Sequence, residues 1–178
     1  MKLIIVADIF GRTEALEVLS AELDVDVEII DPYNAEFICF DNEAAAYTYF
    51  MTHVGINAYT NLVFNQLQLI TEPVRIVAFS VGAASIWRLS KCTNLKYIST
   101  ARCFYGSQIR HYSNITPSFP IELILPASEP HFSVAELITK LSGKANVQIT
   151  QVPFLHGFMN KHSANYDAAG YELFKCIS

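Results

Sequence analysis

The sequence predicts a doubly wound α/β fold with a mostly parallel sheet. Three observations carry this prediction. Short apolar runs alternate with stretches of helical periodicity along the whole chain. Each apolar run stops abruptly at small, acidic or proline-containing turn residues. The composition, 52% hydrophobic with a mean hydropathy of +0.27, is apolar for a soluble protein, as expected of strands buried on both faces. With 178 residues the chain can bury a substantial core, and a single domain spanning residues 1–178 is expected.

Residues 3–7 form an apolar run that stops at Asp8-Ile9-Phe10-Gly11, and Thr13 can then N-cap a helix containing Leu16 and Leu19. Residues 25–30 read as a strand ended by Asp31-Pro32, since proline cannot continue a central strand. Residues 33–42 read as an irregular connection. Helices are expected over 43–51 and 57–70, the second with Tyr59, Leu62, Val63, Leu67 and Ile70 at spacings of three and four. Residues 76–79 form the central strand. It ends at Ser80, and small residues lead into a helix carrying Ile86, Trp87 and Leu89, with Trp87 expected in the core. Residues 96–100 are a short strand candidate, Phe104-Tyr105-Gly106 is a further apolar stop, and 107–120 reads as loop. A strand over 121–125, a helix over 134–141 capped by Ser133, a strand over 147–152 and a closing helix over 166–176 complete the pattern.

Composition excludes several classes. No apolar run approaches the ~20 residues of a membrane-spanning helix. The N-terminal run turns acidic at Asp8, too soon for a signal peptide, so a cytoplasmic location is expected. Net charge is −5 with no basic cluster, which argues against nucleic acid. Cys39, Cys92, Cys103 and Cys176 show no CxxC spacing; they are expected to be buried free thiols, with neither a metal nor a redox role. No GxGxxG or P-loop comes after a strand, so a nucleotide- or flavin-binding domain is weakly supported and no cofactor is expected.

In doubly wound sheets, ligands bind beyond the carboxyl ends of the strands. A serine, a carboxylate and a histidine all fall there: Ser80, Glu129 and His156. A serine hydroxyl becomes a useful nucleophile when a histidine takes its proton and a carboxylate orients the histidine. The segment Ala78-x-Ser80-x-Gly82 fits a strained strand–turn–helix elbow, although it also fits an ordinary turn with a capping serine. The amides of Val81 and Ile9 are candidate oxyanion donors, and Gly11 would let the first loop turn back tightly. Asp8, Phe10, Tyr105 and Phe158 are candidate pocket residues. His53, His111, His131 and His162 lack such positions and read as surface or structural groups.

With these residues in place, the chain resembles the α/β-hydrolase superfamily and, within it, the dienelactone hydrolase family. Asp8-Ile9-Phe10-Gly11 resembles that family's acidic-Ile-Phe-Gly oxyanion loop, and Ala78-Phe79-Ser80-Val81-Gly82 resembles its elbow. His156-Gly157-Phe158, with Asn165, Tyr166, Asp167 and Ala168 beyond it, is similar to its histidine segment and final helix. Residues 125–132 are similar to its acid segment, with Glu129 at the acidic position. The resemblance implies a compact α/β-hydrolase fold lacking the leading strands, and a serine hydrolase cleaving a small-molecule ester or thioester without a cofactor. This chain has serine where the family often has cysteine, glutamate where aspartate is usual, and Asn160 and Lys161 near the place of its substrate-carboxylate arginine. The second expectation, from another class, is a degenerate hydrolase fold that binds a ligand without turnover.

Overall fold

The computed structural model describes residues 1–176. The element order is β1 (Lys2–Val6), α1 (Glu14–Ala21), β2 (Val27–Ile30), α2 (Glu43–His53), α3 (Gly55–Gln68), β3 (Val74–Phe79), α4 (Val81–Leu89), β4 (Ile98–Phe104), a 3-10 helix (Ser107–Tyr112), β5 (Ile121–Leu125), α5 (Val134–Leu141), β6 (Val147–Gln151) and α6 (Ala168–Phe174). The six strands form one sheet in the order β2-β1-β3-β4-β5-β6, and every pairing is parallel. All carboxyl ends therefore share one rim. The chain reverses its direction of growth between β1 and β3, which is where such sheets open a crevice for ligands.

Strand alternation divides the core in two. On β1, Ile4 and Val6 face the cluster shared with α2, α3, α4 and α5, while Leu3 and Ile5 face the cluster shared with α1 and α6. Both faces are covered, which accounts for the apolar composition. Trp87 is fully buried, as its place in the helical pattern predicts, and its indole N–H donates to the Tyr112 carbonyl at 2.9 Å. Burying a large apolar side chain of this kind contributes roughly 1.5–3 kcal/mol.

Three elements differ from the sequence prediction. β4 runs on to Phe104 instead of stopping at residue 100. Arg102 interrupts its apolar run, but Arg102 lies opposite Glu122 of β5 and pairs with it at 2.6 Å, so the charge is accommodated across the ladder. The predicted loop after β4 begins with the 3-10 helix. α6 starts at Ala168 because the Asp167 carboxylate accepts the Gly170 N–H at 2.8 Å and caps the helix there. The cysteines also depart from expectation: all four are free, but only Cys103 is buried, and Cys39 and Cys176 are exposed. Neither exposed thiol has a core position to fill.

Candidate active site

The site is built where β1 and β3 diverge. Ser80 ends β3 with φ 48° and ψ −110°, in a region that side chains rarely occupy. Its N–H completes the ladder to the Phe104 carbonyl at 3.0 Å. Its hydroxyl makes no capping bond to α4. The hydroxyl instead meets His156 Nε2 at 3.1 Å. Two residues on, α4 passes so close to β1 that a Cβ on Gly82 would lie 2.5 Å from the Ala7 carbonyl oxygen. The second glycine of the elbow is therefore required, whereas Ala78, inside the sheet, carries its methyl without exposure.

His156 comes after β6. Its backbone carbonyl accepts from the Asn165 side-chain amide at 2.9 Å, and its ring packs on Tyr105 with centroids 4.9 Å apart. Nδ1 lies 2.8 Å from Glu129 Oε1. Glu129 sits in the loop after β5, fixed by a single bridge to Phe132, and its side chain is 8% exposed. Burial pushes its carboxyl pKa up, but hydrogen bonds from His156 and Ser107 and the charges of His156 and Arg110 outweigh burial, and the net shift is downward. Ser80, His156 and Glu129 thus form one continuous hydrogen-bonded line.

The loop after β1 is held rigidly beside them. Asp8 accepts the Phe10 N–H at 2.9 Å and the Asn160 amide at 2.7 Å. The Tyr33 hydroxyl donates to the Ile9 carbonyl at 2.6 Å. Gly11 has φ +67°, and its missing side chain leaves room for the Tyr33 ring. Burial raises the Asp8 carboxyl pKa, a shift that the Asn160 and Phe10 hydrogen bonds oppose. Ile9 and Val81 both line a cleft of about 430 Å³ that contains Ser80, Glu129 and His156. Val81 is the first residue of α4, where an amide has no intrahelical acceptor.

The remaining candidates lie elsewhere. Asp8 and Tyr105 line a smaller cavity behind the loop, Phe10 faces a groove beside Phe40, and Phe158 is buried in the core against Phe104, Tyr105, Phe154 and Phe174. His53, His111, His131 and His162 are all exposed. Polar cleft residues that the sequence reading did not assign to the site include Glu43 from α2, and Ser107 and Arg110 from the 3-10 helix. Ser107 Oγ is 2.9 Å from His156 Nδ1 and also donates to Glu129 Oε1. The one available signal for Ser107 was its place just after the Phe104-Tyr105-Gly106 stop.

This architecture is that of the α/β-hydrolases. The mouse α/β hydrolase domain-containing protein 10 superposes with a TM-score of 0.66 at 9% identity, over 99% of this chain and 87% of the other. P91, a dienelactone hydrolase-like promiscuous phosphotriesterase from metagenomic libraries, gives 0.62 at 13% identity, over 99% and 84%. A lipase-esterase related protein of Clostridium acetobutylicum gives 0.61 at 11% identity, over 98% and 93%. No family model matches the chain. In sequence, it is 34% identical over 146 residues to the uncharacterized protein YczH of Bacillus subtilis strain 168, covering 80% of this chain and 70% of YczH. The chain belongs to the YczH family, and it has the α/β-hydrolase fold.

Proposed function

We propose that this protein is a small serine hydrolase that cleaves an ester or thioester through an acyl-enzyme, acting on a small molecule in the cytoplasm. The observation that carries the reading is the line of hydroxyl, imidazole and carboxylate at the crevice between β1 and β3: Ser80 Oγ to Nε2 at 3.1 Å and Nδ1 to Glu129 at 2.8 Å. His156 takes the Ser80 proton on Nε2 as Oγ bonds to the carbonyl carbon. The amides of Val81 and Ile9 hold the oxyanion. Collapse breaks the bond to the alkoxide or thiolate, which leaves with the proton from Nε2. Water then attacks the acyl group, gives its proton to Nε2, and releases the acid as that proton returns to Ser80. Glu129 keeps Nδ1 protonated and stabilises the transient imidazolium. The chain needs no cofactor for these steps.

Hydrolysis of a panel of short-chain esters and thioesters tests this reading. Wild-type turnover should fall by about a thousandfold or more in Ser80→Ala and in His156→Ala. Full retention in either variant would refute the assignment. Saturable ligand binding without Ser80-dependent turnover would instead support a degenerate binding protein.

A further inference from the structure

The carboxyl end of β4 carries a second strained residue. Tyr105 has φ +39°, an unfavourable conformation for an aromatic side chain. The surroundings that hold it there also aim Ser107. The Ser107 N–H donates to the Tyr105 carbonyl at 2.8 Å, and an Arg110 guanidinium nitrogen donates to the Ser107 carbonyl at 2.8 Å. The result is a half-buried hydroxyl touching the two partners of the imidazole–carboxylate bond, 2.9 Å from His156 Nδ1 and donating to Glu129 Oε1. Strain kept at such a point is a marker of function.

We propose that Ser107 is a positioning residue that holds the Glu129 carboxylate on His156 Nδ1. The inference rests on the reading of Ser80, His156 and Glu129 as the reacting line. Its physical basis is the length of glutamate. Glu129 has one more side-chain torsion than an aspartate would, so its carboxylate has more conformations to lose. It also has a competitor, because the positive charge of Arg110 lies near enough to favour its ionised form. Among the described residues, Ser107 and His156 are the two groups that hydrogen-bond to Glu129 Oε1. With its hydroxyl in place, the carboxylate is pinned toward the imidazole; without it, the carboxylate is free to turn toward Arg110. The charged and titratable groups around the pair are Asp8 from the β1 loop, Glu43 from α2, Tyr105 and Arg110 from the β4 side, and His131 beside Glu129. Of the side chains on these elements, only Ser107 bridges both partners.

The test compares wild type with Ser107→Ala and Ser107→Thr. The first readout is the pH dependence of fluorophosphonate labelling of Ser80. The second is the proton NMR signal of the His156 Nδ1–H, which needs no turnover. Ser107→Ala should slow labelling about tenfold, the scale of one lost hydrogen bond. The shape of its pH profile should differ from that of wild type, because the carboxylate no longer sits on Nδ1. The downfield Nδ1–H signal should weaken or vanish. Ser107→Thr, which keeps the hydroxyl, should restore the rate and the signal. Should Ser107→Ala fail to fold, Ser107→Cys, a similar volume with a weak donor, gives the same comparison. Unchanged profile and signal in a folded variant that lacks the hydroxyl would overturn the role of Ser107 while leaving Ser80 as the labelled residue. A wild type that takes no label, yet loses the Nδ1–H signal on substitution, would refute Ser80 as nucleophile and uphold the hold of Ser107 on the imidazole.

Discussion

The ends of β3 and β4 are neighbours in the sheet and are built alike. Each strand closes with a non-glycine residue at positive φ, Ser80 at 48° and Tyr105 at 39°. Each then delivers a serine hydroxyl to His156, Ser80 to Nε2 at 3.1 Å and Ser107 to Nδ1 at 2.9 Å. The segments beyond the two strands differ. After β3, a helix starts at once, at Val81. After β4, a glycine and a 3-10 helix turn the serine onto the far side of the imidazole. Strained residues at adjacent strand ends thus place hydroxyls on opposite nitrogens of one imidazole; in the proposed mechanism one presents the nucleophile and the other orients its base.

Equal substitutions at the two ends should have unequal effects. The largest contrast is chemical: Ser80→Ala should remove turnover by about a thousandfold or more, against about tenfold for Ser107→Ala. Equal losses would end the distinction between presenting and orienting serines. The next contrast is in packing. A Cβ on Gly82 would meet backbone, the Ala7 and Val6 carbonyl oxygens at 2.5 and 2.6 Å, whereas one on Gly106 would meet the tip of the Ile109 side chain at 2.7 Å. Backbone cannot move aside as a side chain can. Gly82→Ala should therefore cost about 2–3 kcal/mol in urea unfolding and Gly106→Ala under ~1 kcal/mol.

The smallest effect concerns pH. The Glu129 carboxyl pKa is lowered in the folded protein. Its contribution to stability is therefore present above the ordinary carboxyl value of 4.5 and is lost as pH falls through the lower folded value. Thermal melts from pH 7 down to pH 3 should show a gentler acid decline in Glu129→Gln than in wild type. A parallel decline would mean that the His156 and Ser107 hydrogen bonds do not hold the ionised form.

Much of the first strand end, and less of the second, was legible in the sequence. The run 76–79 is uninterrupted and stops at a small-residue turn, so β3, Ser80 and α4 are all read from local pattern. The loop positions of Glu129 and His156 come from the ends of β5 and β6 in the same way. The strand over 96–100 and the apolar stop at 104–106 are read as separate pieces; the charged Arg102 between them joins the strand because Glu122 lies opposite it. Ser107 comes directly after that stop, but its partners, 22 and 49 residues distant, leave no local trace. Glu43 was hidden for the same reason, since an exposed-looking first-turn acid on α2 enters the cleft only through tertiary packing. The register of apolar runs is a local property; convergence of polar side chains from separate loops is not.

The central claim is that Ser80 is an activated nucleophile, and covalent labelling with a fluorophosphonate probe tests it most directly. Wild type and Ser80→Ala would be labelled as folded proteins and read by intact mass and peptide mapping. An activated Ser80 should give a single adduct on that residue, absent from the variant. No adduct on folded wild type, or an adduct that persists in Ser80→Ala, would contradict the claim.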